Sequence, residues 1–186
     1  MKKVCYLFFL FSFVSCYQND LEFKLQNSFS VEGDSNYISE KDCFYFCTDS
    51  NLFSLTMYYS YGKYGDKQMI DTMDYTDMQY GSTLNSFKSE KNNSYVVLWK
   101  IKHEFSPIFK VYYVRDGKLI KMGVLTIYTP CETCDYLDYS IEDMQIFQKN
   151  NEIKISFLKN IYYWDTEKNE GTLYDAETLI LSFNIE

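Results

Sequence analysis

Two cysteine pairs carry the most reactive side chains of this sequence, Cys43 with Cys47 and Cys131 with Cys134. Four thiols in a C-x3-C and a C-x2-C arrangement admit three chemistries: structural disulfides, a four-thiolate zinc site or a redox dithiol. Zinc needs all four sulfurs at one tetrahedral centre, and 83 residues separate the two pairs, far more than a compact ribbon allows. A redox dithiol needs a helix beginning at its first cysteine, because a helix N-terminus lowers the thiol pKa. Asp135, Tyr136, Asp138 and Tyr139 make a poor helix start, and acids beside the sulfurs oppose a thiolate. Structural disulfides are therefore the expectation, bridged within each pair or across the pairs, since four cysteines allow three connectivities.

No other set of residues forms a catalytic constellation. His103 is the only histidine, and Lys102 and Glu104 beside it suggest a solvated strand end. A multi-histidine metal site is excluded, and no G-x-S-x-G elbow accompanies this histidine. Asp71, Asp74 and Asp77 recur every third residue, but a calcium loop alternates more closely and turns on a glycine. No glycine loop suited to phosphate is present. Carboxylates are plentiful, and their spacing singles out no pair for glycoside hydrolysis. Neither a metal, a cofactor nor an enzymatic activity is expected.

The tyrosines are the better candidates. Tyr58, Tyr61, Tyr64, Tyr75 and Tyr80 fall in or just before a stretch of weak periodicity at 62–93. Exposed tyrosines stack on sugars and anchor protein interfaces. In a sheet they also pair across strands with no ligand involved.

The elements that must position these residues read as strands. Aromatic residues make up 19% of the chain and Ala is scarce, which favours pleated sheet over helical bundle. Alternation places Leu21, Phe23, Leu25, Phe29 and Val31 on one face, and Tyr95, Val97, Trp99 and Ile101 on another. The runs 108–114 and 119–128 are apolar on both faces and predict central strands. Asp116-Gly117 between them predicts a two-residue hairpin, because both turn positions need φ > 0. A second hairpin is expected at 149–151, and a polar loop at 165–171. Residues 62–93 read as a long irregular loop with at most one edge strand. These elements predict an all-β domain at 21–186: an antiparallel sandwich, or a partly closed barrel or meander, of about eight or nine strands.

The N-terminus carries a different signal. Met1-Lys2-Lys3 is followed by an apolar run of about eleven residues, too short to span a bilayer, which needs roughly 20. It ends in Phe13-Val14-Ser15-Cys16. This resembles the signal peptide of bacterial lipoproteins. The resemblance implies a leader at 1–15, lipidation of Cys16, a short tether at 16–20, and a place in the cell envelope. Tyr17 in the position after the cysteine favours the outer membrane by the same analogy. Export would also place the thiols in an oxidising compartment, where disulfides persist.

The formal charge is −8, and loss of Lys2 and Lys3 with the leader would make it −10. So acidic a surface repels nucleic acid and favours a cationic partner. The functional expectation is a non-enzymatic binding module of the envelope, held to the membrane by its lipid. An inhibitor or immunity-type protein for a cationic partner comes first. A tyrosine-lined carbohydrate or small-ligand binder, or a structural scaffold, is the alternative.

Overall fold

The computed structural model describes residues 20–31, 35–49, 54–62, 64–74, 81–101, 107–127, 141–165 and 168–185. Residues 1–19, with the expected leader and Cys16, and also His103, Asp77, Tyr75, Tyr80, Cys131 and Cys134 lie outside them. The described chain is all-β. Its strands are β1 (Leu21–Ser30), β2 (Asn36–Tyr37), β3 (Asp42–Asp49), β4 (Ser54–Tyr61), β5 (Gln68–Asp74), β6 (Ser82–Ser89) and β7 (Ser94–Ile101). There follow β8 (Ile108–Arg115), β9 (Lys118–Thr126), β10 (Met144–Lys149), β11 (Glu152–Phe157), β12 (Ile161–Asp165), β13 (Glu170–Tyr174) and β14 (Ile180–Asn184).

Eight strands form one antiparallel sheet in the order β14-β11-β10-β1-β6-β7-β8-β9. The sheet curls until its two end strands approach, and it nearly closes into a barrel. At that seam the Phe183 ring lies so near Gly123 that an added Cβ would sit 3.1 Å from it. The barrel interior is packed by Phe23, Phe87, Val96, Leu98, Phe109, Val111, Ile146, Ile153 and Ile155, among others. A second sheet, β2-β3-β4-β5, covers the outer face of β6, β7 and β8. Its Phe44, Phe46, Leu55 and Met57 meet Leu84, Val97, Trp99 and Tyr112 in a second core. Sandwich and barrel thus coexist, sharing three strands.

Those shared strands read as expected where they are apolar throughout. Alternate residues of 108–114 enter the two cores, as the sequence predicts for a central strand. The run 119–128 does not behave so. Most of it forms β9, the last strand in the order, and apart from Leu125 and Ile127 its residues through 127 are only partly covered or exposed.

The irregular reading of 62–93 is also corrected. β5 and β6 lie there, and β6 is central, hydrogen-bonded to β1 and β7. Its apolar pattern is hidden because Ser82, Asn85, Ser86 and Ser89 are buried in it. Most of these polar atoms find partners. Trp99 Nε1 donates to Ser82 Oγ at 2.6 Å, Ser28 Oγ donates to Asn85 Oδ1 at 2.7 Å, and Asn85 Nδ2 donates to Thr83 Oγ1 at 3.1 Å. A satisfied polar group tolerates burial, so hydrophobic alternation alone misses such a strand.

In β1 the alternation is real but does not mark one face. The register against β6 jumps between Leu25 and Asn27, leaving Gln26 as an extra, bulged residue. A one-residue slip exchanges the two faces of a strand. Leu21, Phe23 and Leu25 therefore enter the barrel core, whereas Phe29 and Val31 enter the second core.

The Asp116-Gly117 hairpin forms as predicted, with Arg115 opposite Lys118 and both turn residues at positive φ, 50° and 76°. The hairpin at 149–151 forms too, with Lys149 opposite Glu152. The sequence also predicts a meander of about six strands from residue 94 to the end; it holds through β7, β8 and β9 and then breaks, since β10 pairs with β1. The polar loop near 165–171 becomes the tip of a separate two-stranded sheet, β12-β13.

Candidate functional site

The turns at 89–94, 115–118 and 149–152 gather at one end of the molecule, together with the end of β4 and the segment 38–42. There the two sheets part around a groove of about 480 Å³. Tyr61 is its aromatic wall, with 43% of its surface exposed. The ring lies over the Asp116-Gly117 turn, and a Cβ at position 117 would come within 2.7 Å of it. Gly117 is thus required twice, once by its φ of 76° and once by the ring against its bare Cα.

Polar groups rim this ring. Lys41 Nζ stands 6.0 Å from the Tyr61 ring centroid, and Lys88 Nζ stands 5.8 Å from that of Tyr95. Asn93, Glu40, Asp116 and Gln26 complete the lining that matters for recognition. Gln26 reaches the groove because it is the bulged residue of β1, and bulges commonly re-aim a side chain in this way.

Asp42 also borders the groove, but both its carboxylate oxygens are in use. Ser39 Oγ donates to Oδ2 at 2.6 Å, and the buried Tyr59 hydroxyl donates to Oδ1. The Asp42 amide in turn donates to Ser39 Oγ at 2.9 Å. Burial first, and then the Asp42 carboxylate, push the Tyr59 hydroxyl far above its ordinary pKa, so it remains a donor. This arrangement fixes the 38–42 turn and shapes the groove wall.

Of the predicted tyrosines that are described, Tyr58, Tyr61 and Tyr64 do not assemble into one site. Of these three, only Tyr61 lines the groove. Tyr58 lies on the outer face of the second sheet, in a cross-strand row with Tyr45 and Met69. Lys67 Nζ sits 3.9 Å over the Tyr45 ring in the same layer. Tyr64 is 90% exposed on the turn between β4 and β5. The groove residues that sequence reasoning did not find are Gln26, Lys41, Lys88, Asn93 and Asp116. Only the Asp116-Gly117 turn carried a sequence signal, as a hairpin.

Cys43 and Cys47 are both free thiols, the first buried and the second exposed. They stand four residues apart on β3, about 13 Å along an extended strand, whereas a bridge needs Cα atoms within about 7 Å. A bridge within this pair is therefore ruled out by the strand itself. Burial pushes the Cys43 thiol above its ordinary pKa, and hydrogen bonding with Tyr45 and Tyr37 opposes this only in part.

Asp71 is not a calcium ligand in waiting. Its carboxylate receives Lys121 Nζ at 2.7 Å, Lys110 Nζ at 3.0 Å and the Tyr112 hydroxyl at 2.9 Å. Burial would raise this carboxyl, but the three donors outweigh it and hold the pKa below the ordinary value. Among the described residues no cluster of three or more His, Cys, Asp or Glu is placed to hold a metal ion. No helix among them is long and apolar enough to cross a membrane. No family model, curated protein or solved structure matches the chain.

Proposed function

We propose that the protein is a non-enzymatic binding module that holds a polyhydroxylated ligand, a carbohydrate, in the groove beside Tyr61. The observation that carries this reading is the pairing of one exposed ring, braced on Gly117, with a rim of Lys, Asn, Gln and carboxylate groups. A sugar presents an apolar C–H face to an aromatic ring and hydroxyls around its edge, which call for mixed donors and acceptors.

Glycan-array screening followed by calorimetry tests it. The expected result is binding by the unmodified protein that Tyr61→Ala weakens about tenfold, since an aromatic contact is worth roughly 0.5–1.5 kcal/mol beyond its area. Tyr58→Ala, on the outer face of the second sheet, should leave affinity unchanged. No glycan binding, or equal loss in both variants, would overturn the reading.

The charge of −8 supports a second reading, capture of a cationic protein such as a basic hydrolase. It is distinguished by binding that falls steeply with salt and ignores Tyr61→Ala.

The leader supports a lipid anchor at Cys16 and a place in the cell envelope, on the outer membrane. Labelled palmitate should enter the full-length protein in bacteria and should fail to enter Cys16→Ser. Equal labelling of both would remove the anchor.

A further inference from the structure

Lys41 and Lys88 bring two positive charges to the groove, and neither ammonium is in an ion pair with a described residue. The acids nearby are committed elsewhere. Asp42 accepts from Ser39 and Tyr59, and Asp116 Oδ2 lies 3.4 Å from Arg115 Nε. Glu90, just beyond β6, pairs at 2.6 Å with Lys24, the residue opposite Lys88 on β1. Of the carboxylates lining the groove only Glu40 is uncommitted, and it is exposed on the 38–42 turn. The chain as a whole has a formal charge of −8, so a groove whose uncommitted charges are mainly cationic runs against its surroundings.

The two lysines hold different places. Lys88 shares a face of β6 with Leu84, so its stem runs along the end of the second core. It is half-buried, and its Nζ stands 5.8 Å from the centroid of the buried Tyr95 ring. An ammonium held against an apolar wall is partly stripped of water, so an anion gains more beside it than beside a lysine in open solvent. Lys41 is exposed, and its Nζ lies over the Tyr61 ring at 6.0 Å from the centroid. That is the ring on which a sugar would stack. A neutral sugar laid there pushes the ammonium aside and loses its contact with the ring. An acidic sugar exchanges that contact for a charge-assisted hydrogen bond.

We infer that the groove selects acidic glycans, whose carboxylate or ester sulfate is met by Lys41 and Lys88 while a sugar ring lies against Tyr61. The inference rests on the carbohydrate reading of this groove and adds the charge of the ligand to it. Gln26 and Asn93 remain for the uncharged hydroxyls, because an amide both donates and accepts.

The test is an array of uronate-containing and sulfated oligosaccharides, each printed beside its carboxyl-reduced or desulfated counterpart, with calorimetry on the pairs that bind. The expected result is that the acidic member binds about tenfold tighter than its neutral counterpart, a difference of about 1.4 kcal/mol. Lys41→Gln and Lys88→Gln should each shrink that preference, and the double variant should abolish it. Since both ammoniums lack an ion-pair partner, the variants should melt at the unmodified temperature, which separates lost recognition from unfolding. A preference confined to the uronate pairs, or to the sulfated pairs, supports the inference and identifies the anionic group. Neutral members that bind as tightly as acidic ones overturn the inference and leave the carbohydrate reading standing. A preference that survives the double variant overturns it as well. Binding of no glycan overturns both.

Discussion

Asp71→Asn is expected to lower the unfolding free energy by about 2–4 kcal/mol, read from chemical denaturation at neutral pH. Removing one partner of a buried ion pair typically costs about 3–5 kcal/mol, because the other charge is left uncompensated. Here Lys110 is the charge left behind, with 15% of its side chain exposed, whereas Lys121 is half-exposed and can turn to water. That relief sets the lower bound. The effect has a pH signature. The Asp71 carboxyl is depressed in the fold, so its contribution is complete above the ordinary carboxylate range near pH ~3.9 and is lost as pH falls through the depressed value. Below that range the unmodified protein should approach the variant in stability. A constant difference between them down to strong acid would show that the lysines contribute nothing.

Trp99→Ala should cost more, about 4 kcal/mol by the same denaturation measurement. Trp99 is fully buried in the second core, edge-on to Phe46 with ring centroids 5.4 Å apart. The substitution empties a large volume and also strands Ser82 Oγ, which accepts the indole N–H. Lys110 Nζ stands 4.9 Å from the indole centroid while it pairs with Asp71, so one ammonium serves both residues. The double variant should therefore cost less than the two single effects added together. Strict additivity would mean that Lys110 does not couple them. A loss below 1 kcal/mol for Trp99→Ala alone would mean that the second core is not cooperative.

The parts of the fold that were legible in the sequence are those set by local rules. Asp116-Gly117 is such a case, because two consecutive positive φ values admit few residue pairs. The both-face apolarity of 108–114 is another, because a strand covered on each side favours that pattern, although 119–128 carries it at the end of the sheet. Failures arose where a distant partner rewrites a local pattern. Ser82 and Asn85 look like loop residues until Trp99 and Ser28 supply their hydrogen bonds. The bulge at Gln26 cannot be read from β1, since the register shift exists only against β6. The same limit applies to the groove. Tyr61 was singled out for its residue type, but so were Tyr58 and Tyr64, and nothing local separates the three. Their roles are set by Gly117, some 56 residues along the chain, which gives one ring a seat and leaves the others outside.

Strands β6, β7 and β8 form a party wall between the two cores, and this governs how the protein comes apart. Val96 and Leu98 project to one side while Val97 and Trp99 project to the other, so neither core can loosen without moving the wall of its neighbour. Partial unfolding that frees the second sheet would expose one whole side of the wall to water. Opening the barrel seam between β9 and β14 disturbs only the end strands of the order and leaves the wall intact. The slowest amide exchange therefore belongs to the wall, and the fastest sheet exchange belongs to the seam. The candidate groove touches the Asp116-Gly117 turn, which joins a wall strand to a seam strand. One hairpin arm is thus held as firmly as anything in the molecule, while the other is free to breathe.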